Sequence, residues 1–106
     1  MTGPELKKLR ADLSDALGKP LTAADMAKLC GLPAKGGADT ILRWEVRGPS
    51  ASATKLLRVI AMASERYPIM DHFDVFNRHD VLEKDRPARR AQFREQMREE
   101  VRRRLA

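Results

Sequence analysis

Apolar residues recur at three- and four-residue steps through the N-terminal part of the chain, which is the repeat of one helix face. In residues 4–17 these positions are Leu6, Leu9, Leu13 and Leu17. Pro4 suits a first helical turn, and Gly18 followed by Pro20 ends a helix. The pattern therefore predicts an amphipathic helix over residues 4–17.

A second helix is predicted over residues 22–30. Thr22 is a suitable N-cap, Asp25 can complete a capping box, and Gly31 suits a left-handed C-cap. The inward positions of this helix are Met26, Leu29 and Cys30. Cys30 is expected to act as a small buried apolar residue.

Two more helices follow a loop at residues 32–37. The third covers 38–48, and the fourth, capped by Ser50 or Ser52, covers 52–64. Their inward positions are Ile41 and Trp44 in the third helix, and Leu56, Leu57, Ile60 and Ala61 in the fourth.

The pattern is less regular between residues 65 and 84. A short helix after Pro68 is favoured there, although Phe73 and Val75 also fit a short strand. Residues 86–106 contain no glycine and only one proline, Pro87, where a helix can begin. The whole pattern predicts an all-α fold: a compact domain of four to five helices plus a basic C-terminal helix.

Positive charge is distributed unevenly along the 106 residues, whose net charge is +6. Residues 86–106 hold eight arginines and three glutamates, so most of the positive balance lies in the predicted C-terminal helix. Arginine makes forked contacts with phosphate, which favours a nucleic-acid partner. The alternative is a solvated helix whose charges serve solubility.

The chain offers little that an enzyme or a membrane protein requires. Its single cysteine excludes an intramolecular disulfide, which fits a reducing cytoplasm. No apolar run approaches the ~18 residues of a membrane span, and residues 1–10 lack the apolar region of a secretion signal. We therefore expect a cytoplasmic protein without a membrane segment.

Catalytic chemistry and bound cofactors are not expected. No Ser/His/Asp order and no glycine-rich phosphate loop is present. One cluster places two histidines among carboxylates: Asp71, His72, Asp74, His79 and Asp80. The spacing of the two histidines matches no common metal signature, so we predict no metal site.

One stretch, residues 22–48, carries a recognisable pattern of single residues. These are Thr22, Ala27, Gly31, Ile41, Trp44, Glu45 and Gly48. They resemble the helix-turn-helix of the phage-repressor/Cro-like family, also called the xenobiotic-response-element family. With the helices on either side, the resemblance covers about residues 3–64. It implies that the second helix of the motif is a recognition helix that enters the major groove of DNA.

Two features depart from the family pattern. The family commonly has Gln just inside the first helix of the motif, where it contacts a phosphate, whereas this chain has Ala23. The connection between Ala27 and Ile41 is also longer than usual. The insert, around residues 33–37, either extends the turn or lengthens the recognition helix.

DNA contacts can be predicted for single side chains from the chemistry of base edges and phosphates. Arg43 is the first choice for base readout because its guanidinium matches guanine O6 and N7, and Thr40 can contact a base or a thymine methyl. Asp39 either accepts from cytosine or, the favoured role, stabilises the helix N-terminus through the dipole. The other predicted DNA-binding residues are Thr22, the phosphate contacts Lys35 and Arg47, and the accessory contacts Arg89, Arg90 and Arg94.

Other residues of the motif have structural interpretations. Trp44 is expected to anchor the recognition helix on the core, and Glu45 to pair with Arg10 or Arg47. Gly36 and Gly37 could let the backbone approach DNA, although a flexible turn is favoured.

Repressors of this type bind two half-sites about one DNA turn apart, so they need a dimer contact. The aromatic residues concentrate after position 66, and the candidates for that contact are Phe73, Phe76, Phe93 and Met97. The alternative is that these side chains close the core of each monomer.

The resemblance implies a prokaryotic or phage transcriptional regulator, a homodimeric repressor that reads an inverted-repeat operator in double-stranded DNA. Residues 1–65 would bind DNA, and residues 66–106 would dimerise and add DNA contacts. The alternative is a protein-interaction adaptor of antitoxin or anti-activator type that uses the motif as a scaffold. RNA binding through the C-terminal arm ranks third because the arm lacks an aromatic stacking platform.

Overall fold

A computed structural model describes residues 1–67 and 82–106, and all regular structure in these two segments is helical. The helices are α1 (Gly3–Leu17), α2 (Ala23–Leu29), α3 (Gly37–Arg47), α4 (Ala51–Ala61) and α5 (Arg86–Leu105), with a 3-10 turn over Glu83–Asp85. The all-α prediction is confirmed for these residues. The predicted helix after Pro68, the His72 and His79 cluster, Phe73 and Phe76 lie outside them.

Side chains cap the helices where the sequence predicts them. Thr22 accepts a hydrogen bond from the Asp25 amide at 3.1 Å, and the Asp25 carboxylate accepts one from the Thr22 amide at 3.0 Å. The predicted capping box of α2 is thus confirmed. Ser50 caps α4 through the Ala53 amide. Gly31 follows α2 with a φ of +71°, which confirms its predicted left-handed conformation.

The five helices of the described residues share one apolar core. Its fully buried side chains include Leu6, Leu9, Leu13, Met26, Ile41 and Leu57. The C-terminal helix contributes to the same core, because Val101 of α5 is only 1% exposed and belongs to the same cluster. Helix α5 packs against α1 and α2. The N-terminal unit and the C-terminal helix therefore depend on each other for burial.

Helix α3 crosses its neighbours at two positions that have no Cβ atom. A Cβ on Gly3 of α1 would lie 2.6 Å from the Glu45 carbonyl oxygen and 2.7 Å from the Val46 carbonyl carbon. A Cβ on Gly37 of α3 would lie 2.9 Å from the Ala27 Cβ of α2. Both approaches are too close for any side chain, so α3 is held against α1 at its C-terminal end and against α2 at its N-terminal end.

The approach at Gly3 gives a stability prediction. Glycine near a helix end is ordinarily replaced by alanine with little loss or a gain, because alanine restricts the unfolded chain. Here Gly3→Ala forces a methyl group into backbone atoms of α3, which cannot move away like a flexible side chain. We expect the free energy of unfolding, measured in urea, to fall by about 1–3 kcal/mol.

Lys8→Ala is the matched control, because Lys8 is exposed on the same helix. It is expected to change the free energy of unfolding by less than about 0.5 kcal/mol. Unchanged or increased stability of Gly3→Ala would contradict the close crossing.

Candidate nucleic-acid interface

The inner face of α3 is committed to the core. Ile41 is fully buried, Glu45 is buried, and Trp44 is half-buried and packed against the core cluster. The prediction that Ile41 and Trp44 anchor this helix is confirmed. Because this face is occupied, the rotation of α3 about its own axis is set, and the opposite face must point outward.

An ion pair reinforces this rotation. Arg10 of α1 donates to Glu45 Oε1 at 2.7 Å, and the Glu45 side chain is only 5% exposed. Of the two partners predicted for Glu45, the structure selects Arg10. The other carboxylate oxygen, Glu45 Oε2, is buried without a hydrogen-bond partner. Loss of Arg10 would leave this buried carboxylate uncompensated, so the pair ties α1 to α3.

The outer face of α3 combines basic and apolar side chains. Its exposed residues are Asp39, Leu42, Arg43, Val46 and Arg47. Thr40 lies at the edge of this face and is half-exposed. The predicted residues Asp39, Thr40, Arg43 and Arg47 therefore share one side of a single helix, together with two apolar residues that the sequence analysis did not select.

A short hydrogen-bond chain holds Arg43. The Thr40 hydroxyl donates to the Gly36 carbonyl oxygen at 3.1 Å, and Arg43 Nη2 donates to the Thr40 hydroxyl oxygen at 3.2 Å. The guanidinium of Arg43 is thus oriented on the helix surface, while its remaining N–H groups can still donate. Thr40 positions Arg43 in this structure.

The other predicted contacts in residues 22–47 are also exposed. Lys35 is exposed in the connection before α3, Arg47 is exposed in its last turn, and Thr22 is exposed at the start of α2. The Thr22 hydroxyl oxygen already accepts from the Asp25 amide. Asp39 lies in the first turn of α3, where a carboxylate complements the helix dipole, as in its favoured interpretation.

The basic side chains of this surface are not neutralised by carboxylates of the described residues. Across residues 1–67 and 82–106, no carboxylate lies within ion-pair distance of Lys35, Arg43 or Arg47. Their charge is available to an anionic partner.

The long connection between α2 and α3 extends the turn and does not lengthen the helix. Residues 30–36 form it, and α3 begins at Gly37. Gly36 adopts a φ of +84°, which favours glycine, and Gly37 packs on Ala27. Gly36 is therefore needed for a left-handed backbone conformation and Gly37 for close packing, whereas the favoured interpretation was a flexible turn.

Arg94 contacts carbonyl oxygens of its own chain, contrary to its predicted role as an accessory DNA contact. Its guanidinium donates to the carbonyl oxygens of Met62 and Tyr67, at 3.0 and 3.1 Å, and also to that of Ser64. These carbonyls belong to the segment that directly follows α4, and the Ser64 carbonyl oxygen also accepts from the Tyr67 amide at 3.3 Å. Burial and the neighbouring Arg98 charge lower the pKa of Arg94. Arg94 therefore fastens α5 to α4 and leaves the predicted DNA-binding set.

Most other arginines of α5 are also used within the chain. Arg98 Nε donates to the Ala63 carbonyl oxygen at 2.8 Å, beside the Arg94 contacts. Ion pairs join Arg102, Arg103 and Arg104 to glutamates of the same helix. Arg89 donates to Gln92 and is exposed, and Arg90 is exposed. The accessory DNA contacts of Arg89 and Arg90 stay predictions.

The aromatic segment is described only in part. Met97 is half-buried against the core cluster of its own chain, and Phe93 is half-buried on α5. The Met97 packing is what the monomer-core alternative predicts. The dimer contact through Phe93 stays a prediction.

Three residues of this region were missed at the sequence level. Leu42 is 49% and Val46 is 79% exposed on the outer face of α3. A helical projection places both away from the Ile41 and Trp44 stripe, which is the signal that could have identified them.

Lys28 donates to the carbonyl oxygens of Leu105 and Ala106, each at 3.3 Å, and no local pattern points to a partner so distant in sequence.

The single thiol of the chain, Cys30, lies where burial disfavours its ionised form. Burial raises the pKa of the Cys30 thiol to about 11, so the thiol stays protonated near neutral pH. Within the described ranges, no group of three or more His, Cys, Asp or Glu side chains could hold a metal ion. None of the helices described is both long and apolar enough to cross a membrane.

Comparison with protein-family models, curated proteins and solved structures returns no match to this chain. Functional inference therefore depends on the residues and their geometry.

The contacts of Arg94 can be tested by comparing two substitutions on α5. Arg94→Gln removes a charged donor from carbonyls at the α4 end, and we expect the free energy of unfolding in urea to fall by about 1.5–3 kcal/mol. Arg89→Gln removes the same charge from an exposed position of the same helix and is expected to cost less than about 0.5 kcal/mol. Equal effects of the two substitutions would contradict the fastening role of Arg94.

Proposed function

We propose that this chain is a sequence-specific DNA-binding transcriptional regulator in which α2 and α3 act as a helix-turn-helix. The observation that supports this proposal best is the outer face of α3. Its rotation is set by the core, and Lys35, Arg43 and Arg47 carry charges that no carboxylate of the described residues neutralises. An α-helix of ordinary diameter fits the major groove, which is ~12 Å wide.

The residues of this face divide between positioning and readout. Lys35 and Arg47 lie before and at the end of α3 and would contact phosphates, which supply affinity but not sequence choice. Arg43 lies near the middle of the helix and would donate two hydrogen bonds to guanine O6 and N7. Thr40 holds its guanidinium in place before DNA arrives, which reduces the entropy lost on binding.

The chain would act as a homodimeric repressor in the cytoplasm of a prokaryotic cell, encoded either by that cell or by a phage. Two copies would bind one inverted-repeat operator. Two-fold symmetry of the protein would match the symmetry of the half-sites. Among the described candidates, Phe93 on α5 is better placed for the contact between copies than Met97, because Met97 packs against the core of its own chain.

A second candidate function is the protein-interaction adaptor. The exposed Leu42 and Val46 favour it, because neighbouring apolar side chains on a surface often mark a protein contact. A partner would then cover α3, and co-purification would yield a stoichiometric protein complex without DNA protection.

The regulator proposal is tested by selecting duplexes from a random library with the purified chain and measuring Kd for the best-bound sequence. Arg43→Ala removes the forked donor, and we expect binding to weaken by about 1–3 kcal/mol with loss of base preference at one position of each half-site. Thr40→Val keeps the side-chain shape and removes only the hydroxyl, so it should weaken binding in the same direction by a smaller factor.

Thr40→Ser is the control that retains the hydroxyl and should bind like the wild-type chain. The free energy of unfolding of each variant shows whether folding is retained. If no duplex is enriched above the starting library, the proposed function is wrong.

A further inference from the structure

Among the residues that the structure describes, exposed large apolar side chains are rare and concentrate on α3. In residues 1–67 and 82–106 there are three, Leu42, Val46 and Leu82, and two of them lie one turn apart on α3. Single exposed apolar residues are ordinary, but an apolar pair on the face that carries Arg43 indicates that this face contacts a partner.

Helix geometry places the pair beside the predicted guanine reader. At ~100° per residue, Leu42, Val46 and Arg43 fall within one arc of about 100°, with Val46 between the other two. Asp39 lies in the same arc, in the first turn. Whatever surface meets Arg43 must therefore also meet two apolar side chains and one carboxylate.

Charge decides among the possible occupants. A second copy packed through this face would bring Lys35, Arg43 and Arg47 close to their own equivalents, and like charges in an interface are costly. Two apolar side chains are also far from the ~800 Å² per partner of a stable interface. A DNA duplex is anionic where the basic side chains would meet phosphates, and its major groove offers the amino group of cytosine to a carboxylate.

The major groove contains one apolar group, the 5-methyl of thymine. We propose, on the basis of the proposed DNA-binding function, that Leu42 and Val46 read thymine methyl groups and so select A·T pairs beside the guanine bound by Arg43. The two residues are four positions apart, or ~6 Å along the helix, which corresponds to about two base-pair steps of ~3.4 Å. Each half-site should then contain two thymines close together.

The test uses the full chain and the best duplex from the random library. Each thymine is replaced singly by deoxyuridine, which keeps base pairing and removes only the methyl group. For the wild-type chain, we expect Kd, measured by fluorescence anisotropy, to rise about fourfold at one or two positions per half-site. Substitution at other thymines should leave Kd unchanged.

Protein variants then assign each methyl group to a side chain. Val46→Ala should weaken binding to the thymine duplex and bind the thymine and deoxyuridine forms equally at one position, and Leu42→Ala should do so at a neighbouring position. Arg43→Ala should weaken binding but retain the thymine preference. Leu82→Ala removes an exposed apolar side chain outside α3 and should behave like the wild-type chain.

The outcomes separate the two proposals. If the chain selects a duplex but deoxyuridine changes no Kd, or if Val46→Ala and Leu42→Ala both keep the full thymine preference, methyl readout is wrong while DNA binding stands. The same holds if these two variants only dissociate a dimer in analytical ultracentrifugation. If the chain selects no duplex, both proposals are wrong.

Discussion

The structure depends on the close approach of α3 to two other helices at positions without a side chain. Gly3 lets α1 contact the backbone at the C-terminal end of α3, and Gly37 lets its N-terminal end contact Ala27 of α2. Ile41 fills the core between these two crossings, and Glu45 pairs with Arg10 at its edge. A helix held at both ends and along one face cannot rotate, because rotation would bring a Cβ or a buried charge into backbone atoms. The outer face of α3 is therefore a defined surface and not an average over orientations.

The C-terminal helix shows how charge can serve two purposes in one chain. Its amino-acid composition indicates a cationic arm, but Arg94 and Arg98 instead bind carbonyl oxygens that follow α4. A cation near the C-terminal end of a helix interacts favourably with the helix dipole. Lys28 does the same for α5. The exposed ion pairs between glutamates of α5 and Arg102, Arg103 and Arg104 contribute little stability individually. The glutamates nevertheless reduce the positive charge that these arginines offer to a partner.

Some of the available positive charge lies on and beside α3, where it is less obvious from composition. Lys35, Arg43 and Arg47 are few, yet they surround a face whose side chains differ in chemistry. Arginine, carboxylate and apolar groups on one arc could match the mixed donors, acceptors and methyl groups of base edges. A surface of uniform positive charge would bind any phosphate backbone and would discriminate little among sequences.

The sequence by itself predicted most of what is local. The positions of the helices, the Thr22 and Asp25 capping box, the left-handed Gly31 and the buried Ile41 follow from short-range rules, because each depends on neighbours within one or two helical turns. The end of α4 was predicted less well, since the helix stops at Ala61 and not at residue 64. Tertiary structure alone decided the choice of Arg10 as the partner of Glu45, the closeness required at Gly3 and Gly37, and the use of Arg94 within the fold. Each of these joins residues far apart in the chain, and no periodicity encodes which distant backbone a side chain will meet. The exposure of Leu42 and Val46 depends on both sequence and tertiary structure, because the helical period places them away from the Ile41 and Trp44 stripe, and the packing of α3 then leaves them uncovered by the described residues.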